Sequence, residues 1–139
     1  MTILIRDYIV ERIAAVDNEL EQHSSPVITE NMAQTMLDRT YFVGIGDSVN
    51  ISRDNTTRDE FEILIVLKYP LYVEQITNYD DAYCKVIDLR NSLITLDNIS
   101  AQEEIINVVS NGIQIENIPS DDTSVIFTIS LTVTTEYEL

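Results

Sequence analysis

Phe61-Glu62-Ile63-Leu64-Ile65-Val66-Leu67-Lys68-Tyr69 decides the fold of this chain. Side chains alternate along an extended strand. Phe61, Ile63, Ile65, Leu67 and Tyr69 therefore share one side, and Glu62, Leu64, Val66 and Lys68 the other. The second set is itself partly apolar, which predicts a strand with both faces at least half covered. Pro70 has no ladder donor, so it closes the strand or marks an edge.

Downstream, Thr77 or Asn78 is placed to cap a helix, with Asp80 and Asp81 in its first turn. Ala82, Val86, Leu89, Leu93 and Leu96 then recur at helical spacing, and the stripe ends near Asp97-Asn98. Ile105 to Ile118 reads as β, interrupted by Asn111-Gly112 as either a hairpin or a bulge. Pro119 to Asp122 reads as a turn. Val125, Phe127, Ile129, Leu131 and Val133 alternate with Thr128, Ser130, Thr132 and Thr134 in a last strand. Thr135 to Leu139 reads as a short acidic tail.

Upstream, Ile5, Ile9, Ile13, Val16 and Leu20 mark one face of a first helix, with Arg6, Glu11, Asp17 and Glu21 mostly elsewhere. That helix stops before Ser24-Ser25-Pro26. Pro26 to Leu37 is ambiguous and reads as an extended piece with a short helical turn. Arg39 to Ile51 turns β, and Arg53 to Arg58 reads as an exposed polar loop. The sum is a single domain over residues 1–139 of α+β class, with one mixed or antiparallel sheet flanked by two amphipathic helices.

Composition narrows the function. Twenty-four acidic residues face eight basic ones, a net charge of -16. Wrapping nucleic acid requires Lys and Arg to displace counterions, so that class is disfavoured. The longest apolar run, Ile63 to Leu67, is far short of the ~18 residues of a membrane helix. The N-terminus turns polar too soon for a signal peptide. Cys84 alone makes no internal disulfide, which suits a reducing cytoplasm.

Residues equipped for chemistry are few. His23 reads as the C-terminal residue of the first helix, with no neighbour to complete a triad. Cys84 reads as a small hydrophobe inside the second helix. Gly44-Ile45-Gly46 opens a dinucleotide fingerprint, but Val49 replaces its third glycine, so a turn or bulge is the better account. Asp80-Asp81, Glu103-Glu104 and Asp121-Asp122 are adjacent pairs that do not converge on a metal. Arg53 with Arg58, and Lys68 with Lys85, are expected to pair with carboxylates or to meet acidic groups on a second copy. Tyr41, Tyr69, Tyr72, Tyr79 and Tyr83 crowd mid-chain, either as partly buried core or as interface.

The order of elements resembles the tail terminator, or tail completion, proteins of long-tailed bacteriophages. An amphipathic helix leads through a β region with a polar hairpin loop into Phe61 to Tyr69. Gln75-Ile76-Thr77-Asn78-Tyr79-Asp80-Asp81-Ala82-Tyr83 then opens a helix ending in Leu89-Arg90-Asn91-Ser92-Leu93, and two β segments close the chain. The likeness spans nearly the whole chain and rests on layout rather than on an invariant motif. It implies a non-enzymatic virion protein without cofactor or metal. It further implies a homohexameric ring that caps the tail tube, stops its growth and meets the head-side connector. Genomic DNA would pass through without specific binding, since carboxylates repel phosphate. The location implied is the virion tail or neck, with assembly in the host cytoplasm and no membrane.

Contacts with self, tube protein or connector are expected at Asp47, Asn50, Arg53, Asp54 and Arg58 of the loop, at Tyr79 and Tyr83, and at Glu136, Tyr137 and Leu139 of the tail. Another head–tail connector or neck protein is the nearest alternative. A small acidic enzyme, an acidic binding domain or a nucleic-acid mimic is the alternative of another class.

Overall fold

The computed structural model describes residues 2–23, 37–51, 55–70, 76–117 and 124–138. The elements run α1 (Thr2–Val16), β1 (Glu21–Gln22), β2 (Thr40–Asn50), β3 (Thr56–Pro70), α2 (Ile76–Ile94), α3 (Leu96–Ser100), β4 (Ile105–Asn117) and β5 (Ser124–Glu138). The strands form one five-stranded sheet in the order β1-β2-β3-β5-β4. Only the β1–β2 pair is parallel; the other three are antiparallel. The expected α+β class with a mixed sheet is the observed one.

β3 lies in the middle of the sheet, where the alternation of Phe61 to Tyr69 places it. Phe61, Ile63, Ile65, Leu67 and Tyr69 are buried, as are their β5 partners Val133, Leu131, Ile129, Phe127 and Val125. Ile5, Ile9 and Ile13 of α1 and Ala82, Val86, Leu89 and Leu93 of α2 complete the same core. Both helices therefore lie on one face. Each fully buried aliphatic or aromatic side chain contributes about 1.5–3 kcal/mol. On the opposite face Glu62 and Leu64 are exposed, whereas Phe42 is buried against Val66. Pro70 ends β3 opposite Ser124, where its missing donor breaks no longer ladder.

Several boundaries differ from the sequence reading. α1 stops at Val16, because Asp17 turns the chain: its Oδ1 accepts the Glu19 N–H at 3.1 Å. Leu20 lies beyond the helix, half-buried against the core. His23 is not a helix end either. It follows β1 and donates its N–H to the Tyr41 carbonyl at 2.7 Å.

α2 opens at Ile76, so Asp80 and Asp81 fall after its first turn. It ends at Ile94, because Thr95 is extended (φ -67°, ψ 128°) and resets the helical phase. Leu96 is then 74% exposed, and Ile99 of α3 turns inward in its place.

β4 is one continuous strand, and Asn111-Gly112 is a bulge within it, with Gly112 at φ 131°. A register shift also falls between Ile105 and Asn107 of β4, and another bulge interrupts β2 between Ile45 and Ser48, so the Gly44 to Gly46 segment is strand rather than phosphate cradle. The segments Pro26 to Met36 and Pro119 to Asp122 lie outside the described residues.

Candidate interaction surfaces

The expected loop from Asp47 to Arg58 is mostly strand. Val49 and Asn50 of β2 pair with Glu60 and Asp59 of β3, and Thr56 to Glu60 pair with Glu138 to Thr134 of β5. A three-stranded polar arm results. The ladder persists because β5 runs on as far as Glu138, so the expected tail from Thr135 is also strand. Thr134 and Thr135 are buried, at 7% and 0% exposure, and are not a free terminus. Thr135 sits opposite both Asp59 and Ile105, which enclose it from either side. Its Oγ1 has no hydrogen-bond partner among the described residues.

Of the residues expected at contacts, the arm gathers five. Asp47 is exposed. Asn50 Nδ2 donates to Asp59 Oδ1 at 2.7 Å. Arg58 donates to Glu136 Oε2 through Nε at 2.7 Å and also through Nη2. Tyr137 is 36% exposed on β5. A cleft of about 400 Å³ opens among Ile51, Thr56, Arg58 and Glu136. Arg53, Asp54 and Leu139 lie outside the described residues.

Tyr79 and Tyr83 sit apart from the arm. Their rings stack at 6.3 Å and both reach Phe127, at 6.1 and 6.0 Å, while Tyr69 meets Phe127 edge-on at 6.0 Å. Such pairs add about 0.5–1.5 kcal/mol beyond their buried area. These two tyrosines join α2 to the sheet.

Asp17 is the polar centre that the sequence reading placed off the apolar face. It is 5% exposed. Its Oδ2 accepts the Tyr69 hydroxyl at 3.0 Å and lies 3.5 Å from Lys85 Nζ. Burial, and then Asp17, push the Tyr69 hydroxyl far above the usual tyrosine pKa. The signal for it was present: Asp17 continues the four-residue step of Ile5, Ile9 and Ile13. A neighbouring cleft of about 230 Å³ is lined by Glu19, Arg39, Tyr69, Pro70, Asp81, Ala82 and Lys85. Arg39 adopts φ 62° there, with its guanidinium on Glu19 at 3.2 Å.

The basic residues among those described are occupied within the chain. Arg6 donates to the Val43 carbonyl, Arg12 meets Glu11, and Arg90 meets Asn91. Arg58 and Lys85 pair with carboxylates, as the sequence reading expects. Lys68 is buried at 5% exposure and also engaged. The accessible charge is thus dominated by carboxylates. Among the described residues no group of three His, Cys, Asp or Glu is placed to hold a metal ion. Cys84 is exposed on α2, not the partly buried hydrophobe expected. Among the same residues no helix is long and apolar enough to cross a membrane.

The fold and these surfaces define an α+β protein with one sheet face that no described helix covers, a polar strand arm and an acidic exterior. No family model matches the chain, and no curated protein matches it in sequence. Among solved structures, it is similar to a chain of the virion of a native gene transfer agent particle. The TM-score is 0.57 at 8% sequence identity, covering 93% of this chain and 92% of that one. The two chains share a fold over nearly their whole lengths.

Proposed function

We propose that this chain is a structural protein of a phage-like virion, acting as the tail terminator. In this role copies form a homohexameric ring on the finished tail tube, stop its elongation and present a surface to the head-side connector. The observation that carries the reading is the near end-to-end fold match to a gene transfer agent virion chain. The layout of elements, which resembles that of tail terminators, supports the finer role.

The surface chemistry is consistent with that task. A ring requires heterologous contacts between different patches of successive copies, and the sheet offers two edges and an arm for them. An acidic exterior with its basic residues already engaged gives phosphate little to bind, so DNA passes without sticking. No catalytic step or cofactor is needed.

Inactivating the gene in the particle that encodes it, followed by negative-stain electron microscopy, tests the reading. Full heads beside loose tails of abnormal length are the expected result. Tails of correct length that fail to join would move the protein to the neck, and normal particles would remove it from assembly.

A further inference from the structure

The sheet ends in two strand edges, and β2 and β4 at those edges run in opposite directions. Outside β4 no described strand pairs, and Gln114, Ile115 and Glu116 are exposed. The bulge at Asn111-Gly112 confines the regular part of that edge to Ile113–Asn117. At the other side, β1 covers only Thr40 and Tyr41, and the Arg6 guanidinium caps the Val43 carbonyl. Beyond that cap no described strand lies outside β2, and Gly46 to Val49 are exposed. Unpaired edges of this kind are templates for another strand. Neither stretch carries the Lys or Pro that commonly guards an edge.

We infer that the outer edge of β4 pairs with the outer edge of β2 of a second copy, head to tail. This deepens the ring reading above by naming its junction. Pairing alternates along β2, β3, β5 and β4, so β4 runs opposite to β2. A copy added in the same orientation therefore meets β4 with an antiparallel β2, the more stable ladder. Each copy keeps its helices on one side of the continued sheet and Glu60, Glu62 and Glu116 on the other.

The size of the junction explains why closure matters. Gly46 to Val49, which holds the β2 bulge, and Ile113–Asn117 are stretches of four or five residues, spanning about 13–17 Å. A contact of one strand edge on another falls short of the ~800 Å² per partner typical of a stable pair. Charge of -16 per copy opposes it further. A free dimer is not expected, whereas a closed ring makes every junction at once.

Face parity supplies the test. Ser48 pairs with Phe61, and Ile113 and Ile115 pair with Ile129 and Phe127, all on the helix face. Val49 pairs with Glu60, and Gln114 and Glu116 pair with Thr128 and Ile126, all on the face away from the helices. In full-length protein carrying Cys84→Ser, Ser48→Cys is combined with Ile113→Cys or Ile115→Cys, and Val49→Cys with Gln114→Cys or Glu116→Cys. Each is oxidised at high protein concentration and raised salt, after its melting curve confirms folding.

The expected result is a ladder of disulfide-linked oligomers from same-face pairs. The ladder should be absent from single variants and from the opposite-face pair Val49→Cys with Ile115→Cys. Monomers from every same-face pair, or dimers from Ile115→Cys alone, would overturn the junction. Rings seen on tail tubes without same-face cross-linking would overturn it while leaving the ring reading intact. A same-face ladder from a protein whose loss leaves tails normal would keep the junction and remove the terminator reading.

Discussion

The Tyr69 hydroxyl donates to Asp17 Oδ2 at 3.0 Å, tying the end of α1 to the central strand beneath it. Lys85 of α2 meets the same oxygen at 3.5 Å. One carboxylate thus fixes three elements that are remote in sequence. Tyr8 adds a second tie, its hydroxyl donating to the Leu93 carbonyl at 2.8 Å.

Asp17→Ala leaves the Tyr69 hydroxyl buried without its acceptor. The expected loss is about 2–3 kcal/mol, combining the lost bond and the unpaired group. Asp17→Asn keeps an acceptor for Tyr69 but loses the charge facing Lys85, and should cost about half as much. Urea unfolding of both variants measures the difference.

Alkaline pH should weaken the fold. Burial raises the Tyr8, Tyr41 and Tyr69 hydroxyls above the ordinary tyrosine value, with Asp17 adding to the effect at Tyr69. The unfolded chain then releases protons first, from about pH 10. Their contribution is complete below that pH and is lost as pH rises toward the folded values. Tyr69→Phe should flatten the decline in melting temperature between pH 9 and about 11; an unchanged slope would contradict this account.

The buried Thr135 hydroxyl has no partner among the described residues, so an isosteric apolar side chain should fit better. Thr135→Val is expected to stabilise the protein by about 1 kcal/mol. Thermal melting gives the sign directly, and destabilisation would mean that the hydroxyl has a role in the arm.

Gly112 occupies φ 131°, and a Cβ there meets nothing within 4 Å. Gly112→Ala should therefore cost about 1–3 kcal/mol through backbone strain alone. The loss should appear in equilibrium unfolding without a local repacking of β5.

Arg58 and Glu136 are partly exposed, so their pair contributes at most about 1 kcal/mol. Arg58→Glu should leave the melting temperature nearly unchanged while placing like charges on the arm. If the arm contacts tube or connector, the variant should reduce the yield of joined particles, counted by electron microscopy. Deleting Asn50 to Thr57 is a poorer test, because it removes strand pairs and the buried Thr57 as well.

The periodicity of the sequence by itself determined the α+β class, the two helix stripes and the parity of β3 and β5. Those signals are local: alternation and helical spacing depend on which face meets water, and burial enforces them residue by residue. Tertiary structure alone decided the order β1-β2-β3-β5-β4 and the length of the arm. Thr56 to Arg58 and Thr135 to Glu138 look like loop and tail in isolation, because polar residues carry no burial signal. They become strand only because each supplies the other's hydrogen bonds. Asp17 followed the same rule. Its position continued the apolar stripe, but only the arrival of Tyr69 and Lys85 made an inward carboxylate stable, since a buried charge requires partners that no single segment contains.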